Sequence, residues 1–246
     1  MPGVPPGAES VYRAAAARYT GRVTDYDAIA DWYETTLVPS WRADPLEFGP
    51  TLRELLGPGT GPCLELGCGT GAHAGRIREL GRTPLGVDLS AGMLRHAAAR
   101  PPVARGDATV LPVATGVLPA VVAIMVHTDM PAYPAVLREA ARVLAPGGVF
   151  VHVGVHPCFC GGFADRTDGR AVVIRPGYRE PGWTMESWTD QGLRDKVGAT
   201  HLPLPALLGA VLDAGLVFER FAEGGAPTPT VFAWRARKPY AGGTNR

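Results

Sequence analysis

The chain has 246 residues, 46% of them hydrophobic and 19% charged, which is enough for one large core-bearing domain. A formal net charge of +1 argues against a nucleic-acid or anionic-membrane partner, since either would call for a broad basic surface. No apolar run reaches the ~18 residues of a membrane span, and the opening MPGVPPGAES lacks the basic-then-apolar layout of an export signal. Cys63, Cys68, Cys158 and Cys160 give no disulfide framework and no C-x-x-C pair, which fits reduced thiols in the cytoplasm.

Residues 1–9 are rich in Pro and Gly and read as disordered. A helical pattern runs from Val11 to about Val38, with Tyr12, Tyr19, Tyr26, Ile29 and Tyr33 set among Ala and charged residues. A second helix is expected from Pro45 to Leu56, stopped at Gly57. Strands and helices then alternate: strand Cys63–Leu66, helix Ala72–Leu80, strand Pro84–Asp88, helix Ala91–Arg100, strand Val103–Arg105. Leu118–Val126 is a continuous apolar run, as in a strand buried on both faces. Helix Tyr133–Leu144, a break at Pro146-Gly147-Gly148 and strand Val149–Val155 follow. This alternation predicts an α/β fold with a parallel, doubly wound sheet. Residues 156–202 lose the rhythm and read as an insertion over the site. Helix Pro205–Ala214 and strands Val217–Phe221 and Pro229–Trp234 complete the chain. The expected organisation is a helical cap at 1–58, a cofactor-binding core at 59–155, a lid at 156–202, and C-terminal elements at 203–246 that complete the sheet.

The segment E-L-G-C-G-T-G, residues 65–71, carries most of the functional information. Gly67, Gly69 and Gly71 remove side chains where the chain turns and where a ligand must approach the backbone. Asp88, at the end of the second strand, can accept hydrogen bonds from both hydroxyls of a ribose. Gly67, Gly69 and Ala72 also satisfy the dinucleotide fingerprint of NAD(P) sites. Glu65 weighs against that reading, because a carboxylate there repels a pyrophosphate and suits the ammonium of S-adenosylmethionine (SAM). Gly106-Asp107-Ala108 after the third strand can bond an adenine amino group.

These stretches, with GVDLSAGML (86–94), RGDATVLP (105–112) and REAARVLAPGGVFV (138–151), resemble the class I SAM-dependent methyltransferase family. The resemblance covers roughly residues 60–155 and is weaker at YDAIADWY (26–33). It implies a Rossmann-like, seven-stranded sheet of order 3-2-1-4-5-7-6 with one antiparallel strand. It also implies that Glu65 and the backbone of Gly67, Cys68, Gly69 and Gly71 hold the amino-acid portion of SAM. By the same resemblance Asp88 binds the ribose, Leu89 and Met93 flank the adenine, and Gly106, Asp107 and Ala108 read its edge. Met125 and His127 lie under the methionine arm, and Tyr26 and Tyr33 close over the cofactor.

Methyl transfer requires little beyond alignment, but a neutral acceptor can need a base. His156, opening the insertion, is the preferred candidate, with His201 and Asp129 behind it, ahead of His127 and His152. His152, His156, Cys158 and Cys160 give no common zinc spacing, so no metal is expected. Phe159, Phe163, Tyr178, Trp183 and Trp188 could line an apolar substrate pocket or form the insertion's own core. Gly161, Gly162, Gly177 and Gly182 would let the insertion move as a lid. The expected function is methylation of an O, N or C atom of a small molecule such as a secondary metabolite, with S-adenosylhomocysteine as coproduct. The alternatives are a SAM-binding protein of the same fold with cyclase-like chemistry and an NAD(P) enzyme. Sequence leaves the acceptor and the oligomeric state open.

Overall fold

In the computed structural model, residues 25–41, 44, 46–188 and 192–240 are described. The expected disorder at 1–9 and the helical pattern before residue 25 lie outside them. The first helix, α1, spans residues 30–40, with a wider π-turn at Tyr33–Leu37 between α-helical ends. Helix α2 is Phe48–Leu56. Five strands follow in the expected places: β1 Pro62–Leu66, β2 Thr83–Asp88, β3 Val103–Arg105, β4 Leu118–Ile124 and β5 Leu144–Val155. Helices α3 (Ala74–Glu79), α4 (Ala91–Ala97) and α5 (Tyr133–Val143) connect them. The insertion forms two short strand pairs, β6 Ala164–Asp165 with β7 Val173–Ile174 and β8 Gly182–Thr184 with β9 Ala199–His201, and helix α6, Leu193–Val197. Helix α7 (Leu204–Asp213) and strands β10 (Val217–Gly224) and β11 (Val231–Arg237) end the described chain.

The main sheet has the order β3-β2-β1-β4-β5-β11-β10, with β11 antiparallel to both its neighbours. Counting only this sheet's strands, the order is the expected 3-2-1-4-5-7-6. One local expectation fails. Pro146-Gly147-Gly148 is not a break before β5 but a bulge within it, since the pairing jumps from Leu118–Leu144 to Ala120–Val149. The Gly147 amide donates to the Lys238 carbonyl, which keeps the bulged segment on the sheet.

Strand alternation sends successive side chains to two cores. Val121 and Ala123 of β4, Phe150 of β5 and Trp234 of β11 pack with α5 and α7 through Leu137 and Leu207. Val122, Ile124, Val151 and Ala233 pack on the other face with Leu52 of α2 and Ile77 of α3. Helices on both faces explain why β4 and β5 are apolar almost without interruption.

The first core contains a polar cluster. His152 stacks on Trp234 at 5.0 Å, and its Nδ1 lies 2.7 Å from the Tyr133 hydroxyl. His127 packs 4.9 Å from the His152 ring. A Cβ added at Gly154 would stand 2.5 Å from both His127 Nδ1 and His152 Nε2. Gly154→Ala should therefore lower unfolding stability by about 1–3 kcal/mol, the usual cost of overpacking rigid groups. Urea denaturation of the two proteins measures this, and an unchanged midpoint would contradict the packing described.

Candidate functional site

The C-terminal ends of β1 and β2 build the centre of the site. Gly67, Gly69 and Gly71 all have positive φ (62°, 53° and 72°), a conformation that side chains disfavour. The loop is tied to β2 twice: the Cys68 amide donates to the Val87 carbonyl at 3.0 Å, and the Gly69 amide to Asp88 Oδ2 at 2.8 Å. Asp88 Oδ1 accepts from the Ser90 amide at 2.8 Å, and Ser90 in turn caps α4 through the Met93 amide. Burial raises the Asp88 pKa against these bonds.

This loop forms the floor of a cavity of about 820 Å³. Of the residues assigned to the cofactor, Tyr26, Tyr33, Gly67, Cys68, Gly69, Asp88, Leu89, Met93, Gly106, Asp107, Ala108 and Met125 line it. Three do not. Glu65 lies beneath the loop, 2% exposed, and burial first, then Asp88, pushes its pKa up to about 8. Gly71 faces away: a Cβ there would meet Pro101 Cδ at 2.8 Å, so this glycine serves the turn. His127 is turned out of the cleft because β4 stops at Ile124 and Met125 takes a φ of 58°. That reverses the alternation, and His127 packs into the core instead, where burial lowers its pKa to about 3.

The catalytic candidates fare differently from expectation. His156 is 3% exposed and spent on structure: its Nε2 meets Glu223 at 2.8 Å and its Nδ1 accepts from the Cys158 amide at 3.1 Å. His201 Nε2 donates to the Tyr178 carbonyl at 2.7 Å, and its ring packs on Phe163 at 4.6 Å. Neither lines the main cavity. Asp129 does, but its Oδ1 accepts from the Tyr26 hydroxyl at 2.9 Å and pairs with Arg194 of α6. The insertion's aromatics also stay out of the cavity. Phe163 and Tyr178 pack on each other at 5.4 Å and on His201. The cysteines go to separate partners, Cys158 to the Tyr178 hydroxyl and Cys160 to the Thr230 carbonyl.

Sequence reading missed several groups. Beside the expected Tyr26 and Tyr33, 6.0 Å apart, the cavity's aromatic wall holds Trp41 and, just before α3, His73, which Trp41 stacks at 6.1 Å. Three acids on one side of that segment pin it over the cleft. Asp27 Oδ1 accepts from the Ser90 hydroxyl and the Gly92 amide, the latter at 2.7 Å; Asp31 pairs with Arg95 and His96; Glu34 pairs with Arg100. Their i, i+4, i+7 spacing was a visible signal for a shared face. Arg194, 5% exposed, had no signal of its own. It bonds Thr128 Oγ1 and the Gly198 carbonyl, both at 3.0 Å, besides Asp129.

The donor set fits a SAM-like cofactor: the glycine cradle is closed to side chains, and carboxylates rather than cations surround it. A Cβ at Gly67 would stand 2.8 Å from Met130 Cε. Arg105 is the one Lys or Arg among the described lining residues, and its Nε is bonded to the Leu89 carbonyl at 3.0 Å.

Comparison with known proteins agrees. Residues 64–152 match a methyltransferase domain family. A demethylmenaquinone methyltransferase of Mycolicibacterium paratuberculosis is 34% identical over 128 residues, 51% of this chain and 56% of that protein. The chain thus spans little more than half the length of this curated relative. A SAM-dependent methyltransferase structure from Mesorhizobium loti superposes with a TM-score of 0.64 at 25% identity, covering 76% of this chain and 96% of that one. The fold is shared also by a (4+2)-cyclase, SpnF, at a TM-score of 0.59 and 18% identity, covering 79% of this chain and 81% of that one. Glycine cradle, sheet order and the domain match over residues 64–152 together make this chain similar to class I SAM-dependent methyltransferases, which points to SAM as the cofactor.

Proposed function

We propose that this protein transfers a methyl group from SAM to a small, planar, largely apolar acceptor. The observation that carries the reading is a cavity with a glycine loop and acids at its floor and an aromatic wall. In this reading Asp88 holds the ribose, Asp107 and Ala108 the adenine edge, and Glu65 the ammonium. Bound SAM supplies an activated methyl group. The wall of Tyr26, Tyr33 and Trp41 excludes water and offers ring faces for stacking. Residues 59–155 then form the cofactor core, and 156–202 cover it from outside, with Arg194 holding Asp129 and, through it, Tyr26.

None of the three expected bases is free at the cavity, since Asp129 is engaged and His156 and His201 lie elsewhere. Such a site works by proximity and alignment and suits an acceptor that ionises by itself, such as a phenol or quinol. The demethylmenaquinone methyltransferases among its relatives support an aromatic acceptor. The engagement of those three groups, with the fold shared by a cyclase, keeps a non-methylating role as the second reading. No helix of the described residues is long and apolar enough to cross a membrane.

Two outcomes are expected. Incubation with SAM and 1,4-naphthohydroquinone or simple phenols should yield S-adenosylhomocysteine and a methylated acceptor by mass spectrometry. SAM binding without any such turnover would favour the second reading. The second concerns pH. Burial holds the Glu65 pKa up at about 8. Pairing with an ammonium requires the carboxylate, so below that pH binding releases a proton and weakens by up to about tenfold per unit. Above it an α-amino group loses its own charge, near ~7.7–8.0. Calorimetric SAM affinity should therefore peak near pH 8, and Glu65→Gln should flatten the acid limb. An acid limb unchanged in that variant would reject the Glu65 assignment.

A further inference from the structure

His73 has no role in the reading above, yet it lines the cavity while being 5% exposed. Its ring is fixed on three sides. Trp41 stacks on it with an interplanar angle of 15°, Phe48 meets it edge-on at 5.5 Å, and Arg76 Nη1 lies 3.4 Å from its Nδ1. Arg76 is itself held by Asp44 at 3.2 Å, and Asp44 caps α2 through the Phe48 and Gly49 amides. A guanidinium only donates, so Nδ1 must accept, and the neutral ring carries its proton on Nε2. Burial, and Arg76 after it, lowers the His73 pKa to about 4, so the ring is neutral at physiological pH. Nε2 has no partner among the described residues. His73 thus presents one oriented N–H to the cavity, and its tautomer is the wrong one for a base.

What that N–H meets follows from the charges left unmatched. The three acids assigned to SAM take its ammonium, ribose and adenine, and none takes its carboxylate. Arg105, the lining cation, is bonded to the Leu89 carbonyl beside Asp107, at the adenine end. His73 is at the other end: Tyr33 feels the charge of Glu65, and the Tyr33, Trp41 and His73 rings are contiguous at 5.5 and 6.1 Å. We infer that His73, oriented by Arg76, is a neutral hydrogen-bond donor for the carboxylate of the bound amino acid. This rests on the SAM reading. It makes the amino-acid end of the cleft a zwitterion site, with buried Glu65 for the cation and His73 for the anion.

The test compares S-adenosylhomocysteine with methylthioadenosine, which keeps the nucleoside and sulfur and lacks the amino-acid group. In calorimetry, His73→Phe should bind S-adenosylhomocysteine about 10- to 100-fold more weakly, the range for a hydrogen bond to a charged group. Its methylthioadenosine affinity should be unchanged, and His73→Gln, which restores a donor, should recover part of the loss. In the unmodified protein, NMR titration should show the His73 pKa raised by S-adenosylhomocysteine and not by methylthioadenosine, because a bound carboxylate favours the protonated ring. An unmoved His73 pKa, or equal loss of both ligands in His73→Phe, overturns the inference. Failure of the unmodified protein to bind either ligand would instead overturn the cofactor reading on which it rests.

Discussion

The hydrogen bond from the Gly69 amide to Asp88 ties the ends of two parallel strands together, and the site is organised around it. Strands β1 and β2 already pair from Pro62–Thr83 to Leu66–Val87. The loop beyond them has no ladder partners, and its glycines sit in conformations that cost entropy to fix. Asp88 offsets that cost by accepting the Gly69 amide on one oxygen and the Ser90 amide on the other. One carboxylate therefore positions the glycine turn and the start of α4 together. Its burial has a second consequence. Burial raises the Asp88 pKa, backbone amides partly offset that, and lone pairs remain available to hydroxyl donors.

The wall opposite this floor is made differently. Helix α1 touches the core through Ala30 and Leu37, and its placement over the cleft relies on carboxylates. Asp27 reaches the N-terminus of α4, where the backbone amides and the helix dipole both favour an anion. Asp31 and Glu34 follow one and two turns on and reach Arg95, His96 and Arg100. The Arg100 guanidinium also donates to the Thr70 carbonyl at 2.6 Å, so the same side chain touches the wall and the glycine loop. On the other flank, Arg194 and Lys196 of α6 hold Asp129 and lie over Trp32. Exposed pairs such as Asp31 with Arg95 contribute little each. The buried Arg194–Asp129 pair differs, because removing either partner would strand a charge away from water.

How far the sequence revealed this depends on the range of the interactions involved. The parallel sheet, its order and the cofactor loop rest on local signals: buried strand runs, positive-φ glycines, and acids at strand ends. The sheet and its order were read correctly, and Asp88 and Asp107 both line the cavity. Errors arose where a side chain's direction depends on a single backbone angle or a distant partner. Met125 at φ 58° turns His127 into the core, and no pattern of residue types announces that. His156 looked available at the mouth of the insertion, and Glu223, 67 residues later, claims it. The insertion's aromatics were ambiguous from the start, and His201 completes their separate cluster. His73 was passed over because it follows the glycine motif without belonging to it.

These two walls differ in what a ligand must do to complete them. The floor holds buried acids, Glu65 above all, that lack an opposing cation and are driven toward the neutral form. A cation arriving in the cleft would restore the carboxylate and gain from the low local polarity around it. Ligand binding is then coupled to the ionisation of residues beneath the loop, and so to the stability of the loop itself. The aromatic wall needs no such completion, since Tyr26, Tyr33 and Trp41 already satisfy one another by edge-to-face contact. In the proposed reading, selectivity for the donor therefore resides in charge on the sheet side, and tolerance toward the acceptor in shape on the helix side. That division explains why the donor can be read from a short sequence motif while the acceptor cannot.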